Sequence, residues 1–408
     1  MRILHVNKFL HVAGGSETYM FGVADRQEAA GHQIAFFGMT HPHNRDGANS
    51  DLGVDEVSLD PPPDGTVAQL RTAGRIVWNR QAQNRMAEMI GRFRPDVVHA
   101  HNIYHQLSPS ILRPVRAAGI PAVMTLHDYK LVCPTYLLRR QGKVCESCID
   151  GGFRQAAKLR CQGSLAGSAL LAFETGLHRR IGAYDPIDLL ICPSRFLAGR
   201  MEAGGIDARR LRHLPNFSDL DQVAQTTAQA AEVFYAGRLS DEKGVATLVE
   251  AAGLFPQSVK VTVAGGGPLE EELRNHPAAG RIDFLGRIPH TEVLDRLGGG
   301  PLVVVPSACH ENAPMVALEA MAAGAVVVAS DRGGLPEQVR HGQTGLIFPA
   351  DDPAALAGAV GRLLADPELR RAMAVRARED ARRQFSAEVH MERLHELYGE
   401  ALRMHGRA

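Results

Sequence analysis

Two glutamates, Glu311 and Glu319, stand eight residues apart in the stretch CHENAPMVALEAMAAG, Cys309 to Gly324. A β-rich run, Leu302 to Val305, comes just before it, and the Asn-Ala-Pro between the glutamates opens a helix. Asn312 or Ala313 is expected at the cap and Pro314 in the first turn, where its missing N–H costs nothing. A helix N-terminus offers unpaired N–H groups and the positive end of the helix dipole, so the donors around Met315 and Val316 suit phosphate oxygens. Glu311, just outside the helix, would lie beside whatever that phosphate carries. Glu319, two turns in, could accept two hydrogen bonds from a vicinal diol such as a ribose. The plainer alternative is two solvated glutamates on an amphipathic helix, and it leaves the place of Glu311 after a strand unexplained.

Other residues that follow β-rich runs have related chemistry. Ala236-Gly237-Arg238-Leu239-Ser240-Asp241-Glu242-Lys243-Gly244 sets an arginine fork and a lysine point charge five residues apart, where both can reach a diphosphate. Two solvated cations beside a loop are the alternative. Gly14-Gly15-Ser16-Glu17 and Ala264-Gly265-Gly266-Gly267-Pro268 are glycine turns into helices, suited to close approach of a ligand or simply to a tight turn. Neither is the G-x-G-x-x-G fingerprint or a P-loop, which counts against a dehydrogenase and a nucleoside triphosphatase. His127, in Leu126-His127-Asp128-Tyr129, also ends a strand and so falls at a cleft.

The elements that must position these residues repeat a βαβ rhythm. Strands are expected at Ile3 to Val6, Gln33 to Phe37, Val97 to His101, Ala122 to His127 and Leu189 to Cys192. They resume at Val233 to Ala236, Val259 to Ala264, Ile282 to Leu285, Leu302 to Val305, Ala325 to Ala329 and Leu346 to Phe348. The 408 residues suit two α/β domains of about 150 to 200 residues. The expected division is residues 1–215, 216–385 and a closing helix 386–408 that returns to the first domain, with Val389, Leu394, Leu397, Tyr398 and Leu402 on its apolar face. Doubly wound sheets bind ligands beyond their strand carboxyl ends, so two facing domains place a site in the cleft.

Lys+Arg and Asp+Glu are equal at 45 each, which gives no basic footprint for nucleic acid. No run of about 18 apolar residues and no signal-peptide pattern is present, and a cytoplasmic protein is expected. An apolar helix, Leu165 to Leu177, is followed by His178-Arg179-Arg180. It reads as a buried helix with a basic last turn, or as a peripheral contact at the inner face of a membrane carrying a lipid-linked acceptor. Cys133, Cys145, Cys148 and Cys161 form an insert over 133–161 spaced C-x11-C-x2-C-x12-C. Four thiolates with one tight pair could hold a structural zinc, with free thiols or redox disulfides as the alternatives.

In their order and spacing the blocks GGSE, LHDY, PSRF, LPNFSD, AGRLSDEKG, AGGGPL, LGRIPH and ENAPMVALEAMAAG resemble, over essentially the whole chain, the retaining GT-B glycosyltransferases of family 4. The resemblance implies two Rossmann-like domains and transfer of a sugar from a nucleotide sugar, UDP- or GDP-linked, to a glycan, lipid-linked or small-molecule acceptor. It implies no catalytic metal. It places Glu311 on the transferred sugar, Glu319 on ribose, Arg238 and Lys243 on the diphosphate, and Gly14, Gly15, Gly237 and Gly266 close to the donor. Main chain around Gly286, Arg287 and Ile288 would meet the base, and the N–H groups after Asn312, Ala313 and Pro314 the phosphate, while His127 would position the sugar. The family more often has phenylalanine or glycine where this chain has Ala313-Pro314-Met315, and Pro314 removes one donor. A nucleotide-sugar epimerase on the same fold, revealed by donor conversion without acceptor, and a catalytically silent sugar-nucleotide-binding module, revealed by binding without turnover, are the alternatives.

Overall fold

The sequence Val326–Ser330, VVVAS, is buried at every position, as a strand covered by helices on both faces requires. It is one of fourteen strands in the computed structural model, which describes residues 1–45, 50–57, 65–218 and 230–406. In chain order the described strands are β1 (Arg2–Val6), β2 (Gln33–Phe37), β3 (Val97–Ala100), β4 (Ala122–Thr125), β5 (Arg139–Arg140), β6 (Lys143–Val144), β7 (Leu189–Cys192), β8 (Leu211–His213), β9 (Glu232–Ala236), β10 (Lys260–Ala264), β11 (Ile282–Gly286), β12 (Leu302–Val305), β13 (Val326–Ser330) and β14 (Gly345–Phe348). All eleven expected strands are present. The expectation did not include β8 or the small antiparallel hairpin β5–β6, both too short to show a period.

Two parallel six-stranded sheets result, β2-β1-β3-β4-β7-β8 and β11-β10-β9-β12-β13-β14. Strand order reverses beside β1 in the first sheet and beside β9 in the second. Crevices open at such switch points beyond the strand carboxyl ends. The loops leaving β1, β9 and β12 therefore carry Gly14-Gly15, Arg238 to Lys243, and Glu311.

The chain crosses between the sheets twice, side by side. Ser218 and Ser386 pair as a parallel bridge, with Ser218 N–H donating to the Phe385 carbonyl at 2.9 Å. The last helix, Ala387–His405, then packs on the first sheet through Ala387, His390, Leu394, Tyr398 and Ala401. These follow the 3.6-residue period, whereas Leu402, expected on this face, falls off it and is 40% exposed. Burying Leu394 and Tyr398 completely contributes about 2 to 3 kcal/mol each.

A buried ion pair ties the loop after β4 to the helix Leu165–Arg180. Lys130 Nζ donates to Glu174 Oε2 at 2.6 Å, to the Pro134 carbonyl at 3.1 Å and to Thr175 Oγ1 at 3.3 Å. His105 Nε2 lies 2.9 Å from the same nitrogen. One face of that helix is thus anchored, while Leu165 and Phe173 on the other are 58% and 60% exposed. Among the described residues no helix is long and apolar enough to cross a membrane.

Candidate active site

Where the two domains meet, a cavity of about 410 Å³ is walled on one side by Gly15, Asn102, His127, Asp128 and Tyr136. Lys243, Glu311 and the run Asn312 to Val316 form the other side. The helix behind that run, Met315–Ala323, begins one residue later than expected: Pro314 is its cap, not a first-turn residue. Its φ of −64° and ψ of 126° are those of an extended proline, which enters a helix without strain. Ala317 N–H already donates to the Pro314 carbonyl at 3.2 Å, so the donors left to the cavity are those of Met315 and Val316. The first turn holds no acidic residue. Gly15 faces it from the other domain, and a Cβ there would stand 3.7 Å from Met315 Cγ.

Glu311 is 8% exposed and firmly held. Its Oε1 accepts from Lys243 Nζ at 2.7 Å and from Ser307 Oγ at 2.5 Å, and its carbonyl accepts from Gly334 N–H at 2.7 Å. Burial works against the charge on Lys243, but the charge and hydrogen bond of the Glu311 carboxylate more than offset it, so the ammonium titrates above its ordinary value. A fixed carboxylate beside a cation and two free helix N–H groups can hold sugar hydroxyls and phosphate oxygens at adjacent points.

Arg238 does not share this cavity. With Gly237, Gly266, Arg287, Ile288 and Ala13 it lines a second one, of about 760 Å³. The two adjoin at the glycine turn, which lends Ala13 to one and Gly15 to the other. Space on this side depends on bare backbone: Gly265 has φ +137°, and a Cβ on it would lie 1.8 Å from the Gly237 carbonyl oxygen. A third cavity, of about 230 Å³ behind Lys130 and Arg210 in the first domain, contains none of the residues expected to bind a donor.

Glu319 is 7% exposed, and its Oε1 lies 3.0 Å from His290 Nε2. The hydrogen bond to Glu319 raises the titration of His290 above its ordinary value. Asn312 is committed elsewhere. Its Nδ2 donates to the Leu126 carbonyl at 2.8 Å and its Oδ1 accepts from Ser194 at 3.0 Å, so its side chain ties the domains together. Asn216 likewise donates to the Ala313 carbonyl at 3.0 Å. Glu337 completes the closure by accepting from the N–H groups of Arg195 and Phe196 at 2.8 and 2.7 Å.

His127 heads a chain of buried rings. Its Nε2 lies 3.1 Å from His101 Nδ1, His101 Nε2 lies 3.2 Å from His5 Nδ1, and His5 Nε2 lies 2.7 Å from Gln27 Oε1. Gln27 donates its amide to Tyr398 at 3.0 Å, so its oxygen accepts from His5. Passed along the chain, this leaves His127 protonated on Nε2 and presenting Nδ1 as an acceptor. Burial depresses His127 to about 3 and His5 to about 4, so both rings are neutral near pH 7, which suits His127 to positioning a hydroxyl. Asp128 beside it is pushed up by burial to about 6.

Sequence reasoning missed Ser307, His290, Asp128 and the ring chain behind His127. The only available signal was their place at strand ends or in the HAHN and IPH runs. The four cysteines singled out in the sequence, Cys133, Cys145, Cys148 and Cys161, line one small cavity.

The sequence model described as Glycosyltransferase Family 4 matches residues 13–222, and that described as Glycosyl transferases group 1 matches residues 218–380. The chain is 32% identical over 300 residues to the glycogen synthase of Mycobacterium tuberculosis, covering 70% of this chain and 64% of that one. It therefore spans slightly less than two thirds of that relative's length. It is 32% identical over 320 residues to the alpha-D-kanosaminyltransferase of Streptomyces kanamyceticus, 74% of this chain and 76% of the relative. A third relative, the GDP-mannose-dependent alpha-(1-6)-phosphatidylinositol monomannoside mannosyltransferase of Mycobacterium tuberculosis, is 28% identical over 343 residues, 73% and 89% of the two chains. Among solved structures, sucrose-phosphate synthase of Thermosynechococcus elongatus superposes with a TM-score of 0.72 at 21% identity over 98% of both chains. HepE of Anabaena in complex with UDP-glucose gives 0.67 at 18% identity over 98% and 100%.

Proposed function

The chain belongs to glycosyltransferase family 4 and has its two-domain GT-B fold, and from that premise we propose that it transfers a sugar, with retained configuration, from a nucleoside diphosphate sugar to an acceptor hydroxyl. The observation that carries this reading is Glu311, clamped by Lys243 and Ser307 next to the free N–H groups of Met315 and Val316 in the interdomain cavity. The diphosphate would lie against those N–H groups and Lys243, with Arg238 at its nucleoside end and Glu319 on the ribose. Glu311 and His127 Nδ1 would hold hydroxyls of the sugar from opposite walls. As the bond from sugar C1 to the phosphate oxygen breaks, negative charge gathers on the diphosphate, where donors already in place stabilise it. The acceptor oxygen bonds to C1 on the same face, and its proton passes to the departing phosphate oxygen.

UDP and GDP are the first bases to test, because HepE is seen with UDP-glucose and the mannosyltransferase relative is named for GDP-mannose. Thermal melting in a large excess of UDP, GDP, ADP or TDP and their sugar conjugates should single out one base, with a stabilisation of about 2.7 kcal/mol at 100 times Kd. No shift with any of them would contradict the proposal. The acceptor is a glycan, a lipid-linked glycan or a small molecule, in a cytoplasmic setting. A lipid-linked acceptor is favoured by exposed Leu165 and Phe173, and by exposed Val67 and Leu70 on the contacting helix Thr66–Val77. Sedimentation with anionic vesicles should carry the protein down and Phe173→Ser should release it, whereas a protein that ignores vesicles leaves a water-soluble acceptor.

A further inference from the structure

We propose that Cys133, Cys145, Cys148 and Cys161 bind one zinc ion, which acts as a structural staple for the cleft wall. They span 29 residues of chain yet line a single small cavity of about 10 Å³, together with Pro134, Thr135, Arg139, Ala156 and Leu159. None of the four is in a disulfide. They reach the cavity from different short elements. Cys133 ends the turn after β4, Cys145 follows β6 with its N–H on the Leu138 carbonyl at 2.8 Å, Cys148 lies in the helix Ser147–Gly151, and Cys161 follows the helix Arg154–Lys158.

The segment has little regular secondary structure of its own. Its strands are two residues long and its helices five, and the helix Ser147–Gly151 buries no residue at all. Leu138, Ala156 and Cys133 are buried, and Leu138 and Cys133 tie the insert to the first-domain core, but elements this short are the circumstance in which small modules add a metal. Four cysteines lining one cavity suit a soft, tetrahedral dication, with Zn–S bonds of about 2.3 Å. On binding, each thiol loses its proton to solvent. Arg139 at the cavity and Arg140, whose Nε donates to the Leu159 carbonyl at 2.9 Å, offset the negative charge of the resulting tetrathiolate site.

A competing cluster is excluded by its own hydrogen bonds. Among the described residues, the group whose ligand atoms all lie within 4.8 Å of one another is His5, His99 and His101. All six ring nitrogens of that trio are engaged, by Gln27, Tyr398, Thr125, His127 or one another. A metal there would have to break a satisfied buried network, whereas the sulfurs hold only weak contacts, Cys133 with Thr135 and Cys145 with Ser147, each at 3.4 Å. The sulfurs are not gathered within 4.8 Å of one another, so binding an ion would require their side chains to rotate inward.

The staple would reach the cleft through three residues of the insert. Tyr136 lines the interdomain cavity, Arg139 pairs with Asp241 two residues before Lys243, and Glu146 lies 3.8 Å from His310, the neighbour of Glu311. Only this effect on the cleft rests on the transferase reading; the metal site stands without it.

Full-length protein purified without chelator should contain about one zinc per chain, and cobalt exchange should give the thiolate-to-cobalt absorption of a tetrahedral sulfur site. Cys145→Ser should lose the metal and melt at a lower temperature. If that variant does not fold, the wild-type stoichiometry and cobalt spectrum still decide. Metal-free protein with all four thiols open to alkylation, or with disulfides among them, would overturn the proposal. Zinc without donor binding would leave the site standing and remove the transferase reading, and donor binding without zinc would do the reverse.

Discussion

Lys243 Nζ lies 2.7 Å from Glu311 Oε1, and the two residues come from the loops that leave β9 and β12, the strands on either side of the order reversal in the second sheet. The contact is partly open, with the lysine side chain 35% exposed and the glutamate 10%. A donor diphosphate arriving at Met315 and Val316 can therefore share the ammonium with Glu311.

Lys243→Met should lower kcat/KM by about a hundredfold to a thousandfold, since one preorganised donor to developing charge is lost. Most of the change should fall on kcat if the contact strengthens as the diphosphate leaves. An unchanged kcat with raised KM would mean that Lys243 binds the ground state and the transition state equally.

Glu319 was expected to meet a ribose and is found with His290 at 3.0 Å. Glu319→Ala should weaken nucleoside diphosphate binding by about tenfold and abolish the preference for ribose over 2′-deoxyribose donors. Calorimetric titration with the two nucleotides measures both. A preference that survives the substitution would assign the diol to another residue.

Much of this architecture was legible in the sequence because it is local. Strands such as VVVAS show their character within a few residues, as buried runs between turns. The turns after β9, β10 and β12 pointed to the cleft for the same reason. Partners brought together by the crossing of two domains carried no such mark: Asn312 and Leu126 are 186 residues apart, and nothing in ENAPM announces that the Asn312 amide is used to tie the domains. Lys130 and Glu174 were unreadable for the same cause, and Pro314 became a cap because its extended ψ ends the loop before the helix begins.

Glu174 is fully buried against Lys130, so removing it leaves an uncompensated ammonium in the core. Glu174→Ala should cost about 3 to 5 kcal/mol of stability, and Lys130→Met with Glu174→Leu should recover much of it. Chemical denaturation of the two variants checks this. Equal losses in the single and double variants would show that packing, and not the buried charge, sets the cost.

The neutral buried histidines make acid lability predictable in sign. Burial depresses His5 and His390 to about 4 and His127 to about 3, while in the unfolded chain each ring takes up a proton near pH 6.5. The unfolded state therefore binds more protons as pH falls from about 6.5 to 4, and stability falls with it, by about 2 kcal/mol per ring at pH 5. Asp128, raised to about 6, acts in the opposite direction over pH 4 to 6 and offsets about 1 kcal/mol. The Tm should thus drop steeply between pH 6.5 and 5. A flat profile would mean that the rings are charged in the fold.

Glu311→Gln tests the central claim most directly, read as release of nucleoside diphosphate from the donor that stabilises the protein, alongside the Kd for that nucleotide. The account predicts nucleotide affinity within a factor of about three and a loss of turnover of at least about a thousandfold, because the carboxylate meets the sugar and not the nucleotide. Turnover equal to that of the parent protein would contradict the assignment of this cleft as a glycosyltransferase active site.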